Sequence, residues 1–597
     1  MAELSGQVRA GRIAWAISGW LFAFPLHAFE VNVTAPEAIA DDLRGASATV
    51  AAKTAKVEGA QEVYAAALSD YRTLVQVLYD AGYFSPSVSI RLDGREAAEI
   101  STLNPPTRVA KVVIAVDPGP RFRFRTARIA PLAPGTELPP EFAPGQPAGT
   151  GIIREAGFAA KDGWRRAGYA KVGFGRQRIA ALHPSAELDA DIELLPGRQL
   201  RFGRLSVSGQ ENVREAAIRK IVGIPTGEIY DPATVQRMGA RLRRTGTFKS
   251  VSIVEAPVAN ADGSLDFTAE VVEQLPRRIT FGAEVQSRSG VNLSAVWLHR
   301  NLFGNAERLR LEADIRNIGG DQDIDGKLAV RLDNPARLGK DNNVFFLAEL
   351  ERIERLHYNM DRFLVGIGLR RTKSDQLFGE AALTFSTARA TDAYGRRDFT
   401  LVSLPVHVQW DRRDSTTNPT RGFYIDGKVT PFAGLNQSAS GIAASLDARG
   451  YLSFTQSGSV TLAGRLQLGS VGGAKLEEIS PDLLFFSGGA GTVRGHPYQS
   501  LGIPVGTDIA GGRSLLVASA ELRAKVSQKI GLVAFYDYGA VDRQGFVTSG
   551  AESHAGAGIG LRYDIGAFGP IRFDIAMPVS GRTDDGLQFY LGIGQSF

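Results

Sequence analysis

From Arg278 to its C-terminus the chain alternates. Ile279, Phe281, Ala283 and Val285 take turns with Thr280, Gly282, Glu284 and Gln286, and Leu309, Leu311, Ala313 and Ile315 with Arg308, Arg310, Glu312 and Asp314. The pattern returns at Val460/Leu462/Leu466, at Ile571/Phe573/Ile575 and at Leu587/Phe589/Leu591/Ile593, and the chain ends on Phe597. A period of two places apolar side chains on one face of a strand and polar ones on the other. Two closed architectures use such strands: a soluble sandwich or barrel around an apolar core, and a membrane barrel with its apolar face outward. The polar positions carry Arg, Glu and Asp again and again, which suits a wet lumen. At roughly 20 residues per strand and connection, residues 276–597 hold about 16 strands. The expectation is an all-β transmembrane antiparallel barrel.

The first half follows a different rhythm. Three helix ends match: Leu78-Tyr-Asp-Ala-Gly82-Tyr-Phe, Trp164-Arg-Arg-Ala-Gly168-Tyr-Ala and Leu242-Arg-Arg-Thr-Gly246-Thr-Phe. Each glycine stands where a helix stops in a left-handed cap. Two strand-like runs follow each, and the seams Asp117-Pro-Gly-Pro-Arg-Phe-Arg-Phe and Leu195-Pro-Gly-Arg-Gln-Leu-Arg-Phe also match. The period of about 80 residues predicts an array of α+β modules, at 29–117, 118–196 and 197–275, each reading strand, helices, strand, strand. The Ala-rich stretch Ala46–Ala60 of the first is either an extra helix or a loose insertion.

Residues 1–28 read as a secretory signal peptide, with Arg9 and Arg12 ahead of the apolar run Ile13–Leu26. That run is short for a membrane span. The 597 residues include no cysteine and carry a formal charge of +5. There is no thiolate site and no block of basic residues that would make nucleic acid an expected partner. The motifs HExxH, GxSxG and GxxxxGK[ST] are absent. No enzymatic activity, cofactor or metal is expected.

The chemically distinctive stretch is Phe485–Tyr498, FFSGGAGTVRGHPY. Gly488, Gly489 and Gly491 offer a compliant backbone, and Arg494 is a fixed cation among apolar residues and glycines. A loop folded back into a polar cavity needs both features, whereas a surface hairpin needs neither.

The repeats resemble POTRA domains, and GGAGTVRGHPY resembles the VRG signature of the BamA/TamA-type outer-membrane insertase superfamily. Trp410-Asp-Arg-Arg-Asp414…Asn418-Pro-Thr-Arg-Gly422, Phe535-Tyr-Asp537-Tyr-Gly539-Ala-Val541 and Gly569-Pro-Ile-Arg-Phe-Asp574-Ile-Ala-Met-Pro578 resemble three further barrel segments of that family. The resemblance implies a lumen loop anchored by Arg494 and Gly495, with Arg494 paired to Asp537 and to Glu521. His496 departs from the usual Tyr or Phe. Three repeats and this length resemble the TamA branch, which implies an outer-membrane location with periplasmic repeats. It further implies a TamB-like inner-membrane-anchored partner, unfolded outer-membrane protein clients and contact with outer-membrane lipid. A two-partner-secretion-type transporter and a general BamA-type insertase are the alternatives.

A closed barrel must pair its first strand, Arg278–Gln286, with its last, Gly586–Phe597, because lipid cannot satisfy an open edge. Gly282 in one, and Gly586, Gly592 and Gly594 in the other, weaken that seam. With Phe597 they are the candidate lateral gate.

Overall fold

The computed structural model describes residues 29–286, 290–320, 322–455, 457–566, 569–581 and 586–597; the expected signal peptide at 1–28 lies outside them. The chain divides into two compact units, one running to Leu200 with Ile229–Pro232, the other comprising Arg201–Glu228 and Ala233–Phe597.

The first unit holds two small sheets. β1 (Glu30–Thr34), α1 (Glu37–Ala46), α2 (Ala48–Thr54), α3 (Ala60–Asp80), β2 (Ser87–Leu92), β3 (Arg95–Glu96) and β4 (Lys111–Asp117) give a sheet of order β1-β4-β2-β3, with β1 parallel to β4. Leu43, Leu74 and Leu78 of the helices pack with Ile90 and Ile114 of the sheet. The Ala-rich stretch contains the extra helix α2. Its start is held by the buried Asp70 carboxylate, which accepts from the N–H groups of Ala48 (2.7 Å) and Thr49 (3.1 Å) and from the Ser47 hydroxyl (2.6 Å). Free N–H groups at a helix start need such acceptors. The second sheet, β5 (Arg123–Ala130), β6 (Gly173–Leu182) and β7 (Glu187–Leu195), has order β5-β7-β6 and is packed by α4 (Thr150–Arg166) over Phe122, Phe124, Leu188 and Ile192. Gly82 and Gly168 each close their helix at φ +95. At Gly82 a Cβ would stand 2.1 Å from the carbonyl oxygen of Ala148, so glycine is required sterically as well as conformationally.

In the second unit β8 (Arg201–Ser208), α5 (Glu215–Val222), α6 (Pro232–Arg244), β9 (Phe248–Glu255) and β10 (Ser264–Glu273) repeat the plan, with order β8-β10-β9 and β8 parallel to β10. The barrel follows: β11 (Arg277–Gln286), β12 (Gly290–Arg300), β13 (Arg308–Ile318), β14 (Asp325–Pro335), β15 (Asn342–Arg355), β16 (Tyr358–Thr372), β17 (Leu377–Asp392), β18 (Gly395–Ser403), β19 (Val406–Asp411), β20 (Gly422–Leu435), β21 (Gly441–Ser453) and β22 (Val460–Gly472). A long connection carries the short pair β23 (Ile503–Val505) and β24 (Asp508–Ala510). The wall resumes with β25 (Ser514–Lys525), β26 (Ile530–Asp542), β27 (Glu552–Asp564), β28 (Pro570–Ser580) and β29 (Gln588–Ile593). β18 and β19 both lie between β17 and β20, one continuing the other across Leu404-Pro405. Proline has no N–H for the ladder and interrupts it there. Counting that pair as one, the wall has sixteen antiparallel strands among the described residues.

The alternation is realised with the apolar face outward. On β26 Leu532 and Tyr536 are exposed while Val533, Phe535 and Asp537 are buried. On β25 Leu522 points out, and Ser519, Glu521 and Arg523 point in. This is the arrangement of a transmembrane barrel. Among the described residues no helix is long and apolar enough to cross a membrane.

The third repeat is fastened to the turns at its end of the barrel. Arg241, itself buried, donates to both oxygens of Asp341 in the β14–β15 turn (2.7 and 3.1 Å) and to the carbonyl of Val222 (2.9 Å). The Arg214 N–H donates to Gly304 O (2.8 Å) and the Asn301 side chain to Asn212 O (3.0 Å), both in the β12–β13 turn.

The seam differs from expectation. Among the described residues β11 pairs with β12 alone and β29 with β28 alone. The last strand is also shorter than Gly586–Phe597. Gly586 (φ +68) and Gly594 (φ +85) lie outside β29 in left-handed turns, so only Gly592 stands within it.

Candidate functional site: a lumen loop and its ionic anchor

The connection between β22 and β25 folds back into the barrel. Near its start it touches the wall at β16 and β18: Arg362 donates to Asp482 (2.9 Å), Arg397 donates to Ile479 O (3.3 Å), and the β15–β16 turn stacks His357 on Phe486 with centroids 5.1 Å apart. Paired backbone bonds between Phe485 and Gly512, and between Ser487 and Leu501, close its neck. Gly488 (φ +115) and Gly489 (φ +88) then turn the chain, and the Gly489 N–H reaches the carbonyls of Val493 and His496. Gly491 differs from expectation. Its φ is not in the left-handed region and a Cβ there would meet nothing within 4 Å, so its backbone is open to any residue.

The loop ends in Arg494, which is 2 % exposed. Its Nε and Nη2 donate to both oxygens of Asp537 (2.7 and 3.0 Å), and its backbone N–H adds a third bond to the same carboxylate (3.1 Å). Nη1 donates to Glu521 (2.7 Å) and to Asp574 (3.3 Å). The guanidinium lies 3.5 Å from the ring centroid of Phe535. A planar, permanently charged fork can meet a carboxylate edge-on and an aromatic ring face-on at once. Glu521 also binds Arg523, and Asp574 also binds Arg562. Three carboxylates and three guanidinium groups thus form one buried cluster on the inner faces of β25 to β28. Paired and hydrogen-bonded in this way, buried charges persist; unpaired they would not.

Room for the loop is made by β27. A Cβ on Gly556 would stand 1.8 Å from Arg494 O, one on Gly558 2.5 Å from the Phe535 ring, and one on Gly560 2.0 Å from Asp574 Oδ1. Gly495 (φ +96) passes against Met577 O, and its N–H donates to the Tyr590 hydroxyl of β29 (3.0 Å). His496, at the position where an aromatic was expected, is buried beside His554 with ring centroids 4.2 Å apart, and its Nε2 bonds Ala555 O (2.9 Å).

The structure therefore brings Arg494, Gly495, Asp537 and Glu521 into one site. It adds Asp574, Arg523, Arg562 and Phe535, which the sequence reasoning missed. Alternation marks all four as inward positions, but nothing local in the sequence ties those positions to the loop. The gate residues are not gathered in the same way. Gly282 faces Ser294 of β12, Gly592 faces Arg572 of β28, and Phe597 turns inward to pack with Tyr451 and Ala463.

Residues 279–597 match the Omp85 superfamily domain, and residues 200–274 match POTRA, the surface antigen variable number repeat. The chain is 25% identical over 479 residues to the outer membrane protein assembly factor BamA of Neisseria meningitidis serogroup B, covering 69% of this chain and 59% of that protein. It is 22% identical over 455 residues to BamA of Neorickettsia risticii, covering 70% and 58%. The chain spans about three fifths of the length of these curated relatives. In fold it is similar to the crystal structure of BamA from Haemophilus ducreyi lacking POTRA domains 1-3, with a TM-score of 0.60 at 17% identity over 78% of this chain and 98% of that one. The superfamily domain takes in the barrel from Ile279 onward, the Gly-rich loop and every member of the ionic cluster, and the chain belongs to the Omp85 superfamily.

Proposed function

We propose that this protein is a non-enzymatic outer-membrane assembly factor. Its repeats lie in the periplasm, and it helps to insert or secrete β-barrel or autotransporter-type clients through repeat docking and a lateral opening of the barrel. The carrying observation is a lumen loop fixed by a buried ionic cluster, inside a barrel whose first and last strands are not paired with each other among the described residues. An unpaired strand edge is a template for an incoming strand, and the cluster gives the wall beside it a defined shape. Three repeats of one plan support the TamA-like branch, with a TamB-like inner-membrane-anchored protein as partner. A general BamA-type insertase is the second reading, supported by the two relatives of that name.

The test is reconstitution. The purified protein in lipid vesicles receives urea-unfolded outer-membrane barrel clients, and protease-resistant folded client is measured over time. Insertion well above the rate of empty vesicles supports an insertase. Polypeptide that crosses the bilayer without inserting supports a two-partner-secretion-type transporter instead. Dependence of insertion on an added TamB-like protein separates the TamA-like from the BamA-type reading.

A further inference from the structure

The ionic cluster does not stop at the loop. Two arms run from it to the C-terminal tail. In one, Arg494 Nη1 binds Glu521, Arg523 Nε donates to the other oxygen of Glu521 (2.9 Å), and Arg523 Nη2 donates to Phe597 O (3.0 Å). In the other, Arg494 Nη1 binds Asp574, Arg562 donates to its other oxygen, and Arg562 Nε donates to the Gln595 side-chain oxygen (2.8 Å). Arg494, Glu521, Arg523, Arg562 and Asp574 are all less than a tenth exposed. The tail they reach has left the wall. After Ile593 the left-handed Gly594 turns it inward, and Phe597 is buried beside Tyr451, with Arg523 over its ring (5.4 Å). The tail is also held by β28, where Arg572 donates to Gln595 O (3.3 Å) and Pro570 O accepts from the Gly594 N–H (2.7 Å), and by the β19–β20 turn. Thr417 O accepts from the Gln595 N–H (3.2 Å), and Asn418 accepts from its side-chain amide (3.0 Å).

We propose that Gly594–Phe597 is a latch, and that Arg523 and Arg562 are positioning residues coupling it to the lumen loop. While Arg494 is seated, both arms are complete and the tail is kept off the seam. When the loop leaves, Glu521 and Asp574 each lose one of their two guanidinium partners, the two arginines are no longer fixed, and the tail is freed to extend β29. Its bearing on gating rests on the function proposed above; the coupling itself is a property of the protein without any client.

The experiment uses full-length protein carrying Ser596→Cys as its only cysteine, in vesicles without client, with maleimide labelling rate as the readout. Arg523→Gln, Arg562→Gln and the more distant Arg494→Ala are each expected to raise the rate by a factor of about ten, the scale of losing one charge-assisted bond from a local opening equilibrium. Arg523→Lys, which keeps the charge, restores part of the protection. Barrel integrity is checked by heat-dependent gel mobility. Labelling unchanged in both glutamine variants shows that these arginines do not hold the tail. Labelling unchanged in Arg494→Ala alone shows a tail held independently of the loop. Either result overturns the proposal. Failure of client insertion leaves it standing, and normal labelling shifts leave the insertion reading untested.

Discussion

Gly556 lies against the backbone carbonyl of Arg494, so close that a Cβ on Gly556 would stand 1.8 Å from that oxygen. The obstacle is main chain on both sides, and no rotamer change relieves it. Gly556→Ala is therefore expected to unseat the loop while leaving every charged partner in place. Protease cleavage within 488–498 should become faster, with client assembly falling in parallel. Unchanged cleavage would show that the β27 glycines are not what admits the loop.

Arg494→Ala removes the hub of the cluster and leaves Asp537 without the guanidinium that holds it. Breaking a buried pair in this way costs roughly 3–5 kcal/mol when water is excluded. Asp537→Ala is milder, because Glu521 and Asp574 still pair with Arg494. Since both changes act through one bond network, the double variant should be little worse than Arg494→Ala alone. Denaturation midpoints and assembly rates for the four proteins give the cycle; fully additive losses would mean that the pair does not act as a unit.

Much of this architecture is legible because it follows from local periodicity. Alternation in Ile279–Glu284 and Leu309–Ile315 reports apolar-out strands, since the pleat forces it. Gly82 and Gly168 mark helix ends because few other residues adopt that turn. Arg494 and Asp537 could be paired from their motifs. Asp574 could not, because it is 80 residues away and nothing local says that its strand and the loop share a face of the lumen. The tail was misread for a related reason. Leu587–Ile593 alternates as a wall strand, but what turns Phe597 inward is Gly594 together with Arg523, which lies 74 residues earlier in the chain. The role assigned to Gly491 came from composition alone, and composition carries no φ.

The contact between Arg241 and Asp341 predicts an acid-sensitive joint. Burial by itself would raise the Asp341 carboxyl, but the hydrogen bonds and charge of Arg241, helped by Arg244, hold it below the usual carboxylate range. A depressed folded-state pKa contributes stability that is present above the unfolded value of about 3.9 and is lost as pH falls through the folded value. Attachment of the third repeat should therefore be constant from pH 7 to 5 and loosen only below about 4. Asp341→Asn is expected to loosen it at pH 7 and to flatten the acid response. Cleavage rate in the 274–276 linker measures both, and an acid response equal in Asp341→Asn and the parent would assign it to other groups.

The seam carries the final prediction. β11 is 10 residues long and β29 is 6, so even complete pairing would leave part of β11 without a partner. In lipid an unpaired N–H or C=O is costly, which favours a strand edge that gains a partner. With the tail turned inward, β29 cannot extend to supply that partner, and a client strand can. Ile279 and Phe281 on β11, and Phe589 and Leu591 on β29, are exposed on the outer face. Cysteine pairs such as Phe281→Cys with Leu591→Cys would be the only thiols in the chain. Oxidation should lock the seam and reduce client insertion to the rate of empty vesicles, and reductant should restore it. The single-cysteine proteins, treated alike, should insert normally. Full insertion by a protein whose disulfide is verified on a non-reducing gel would rule out strand entry between β11 and β29, leaving the lumen as the only route for a client.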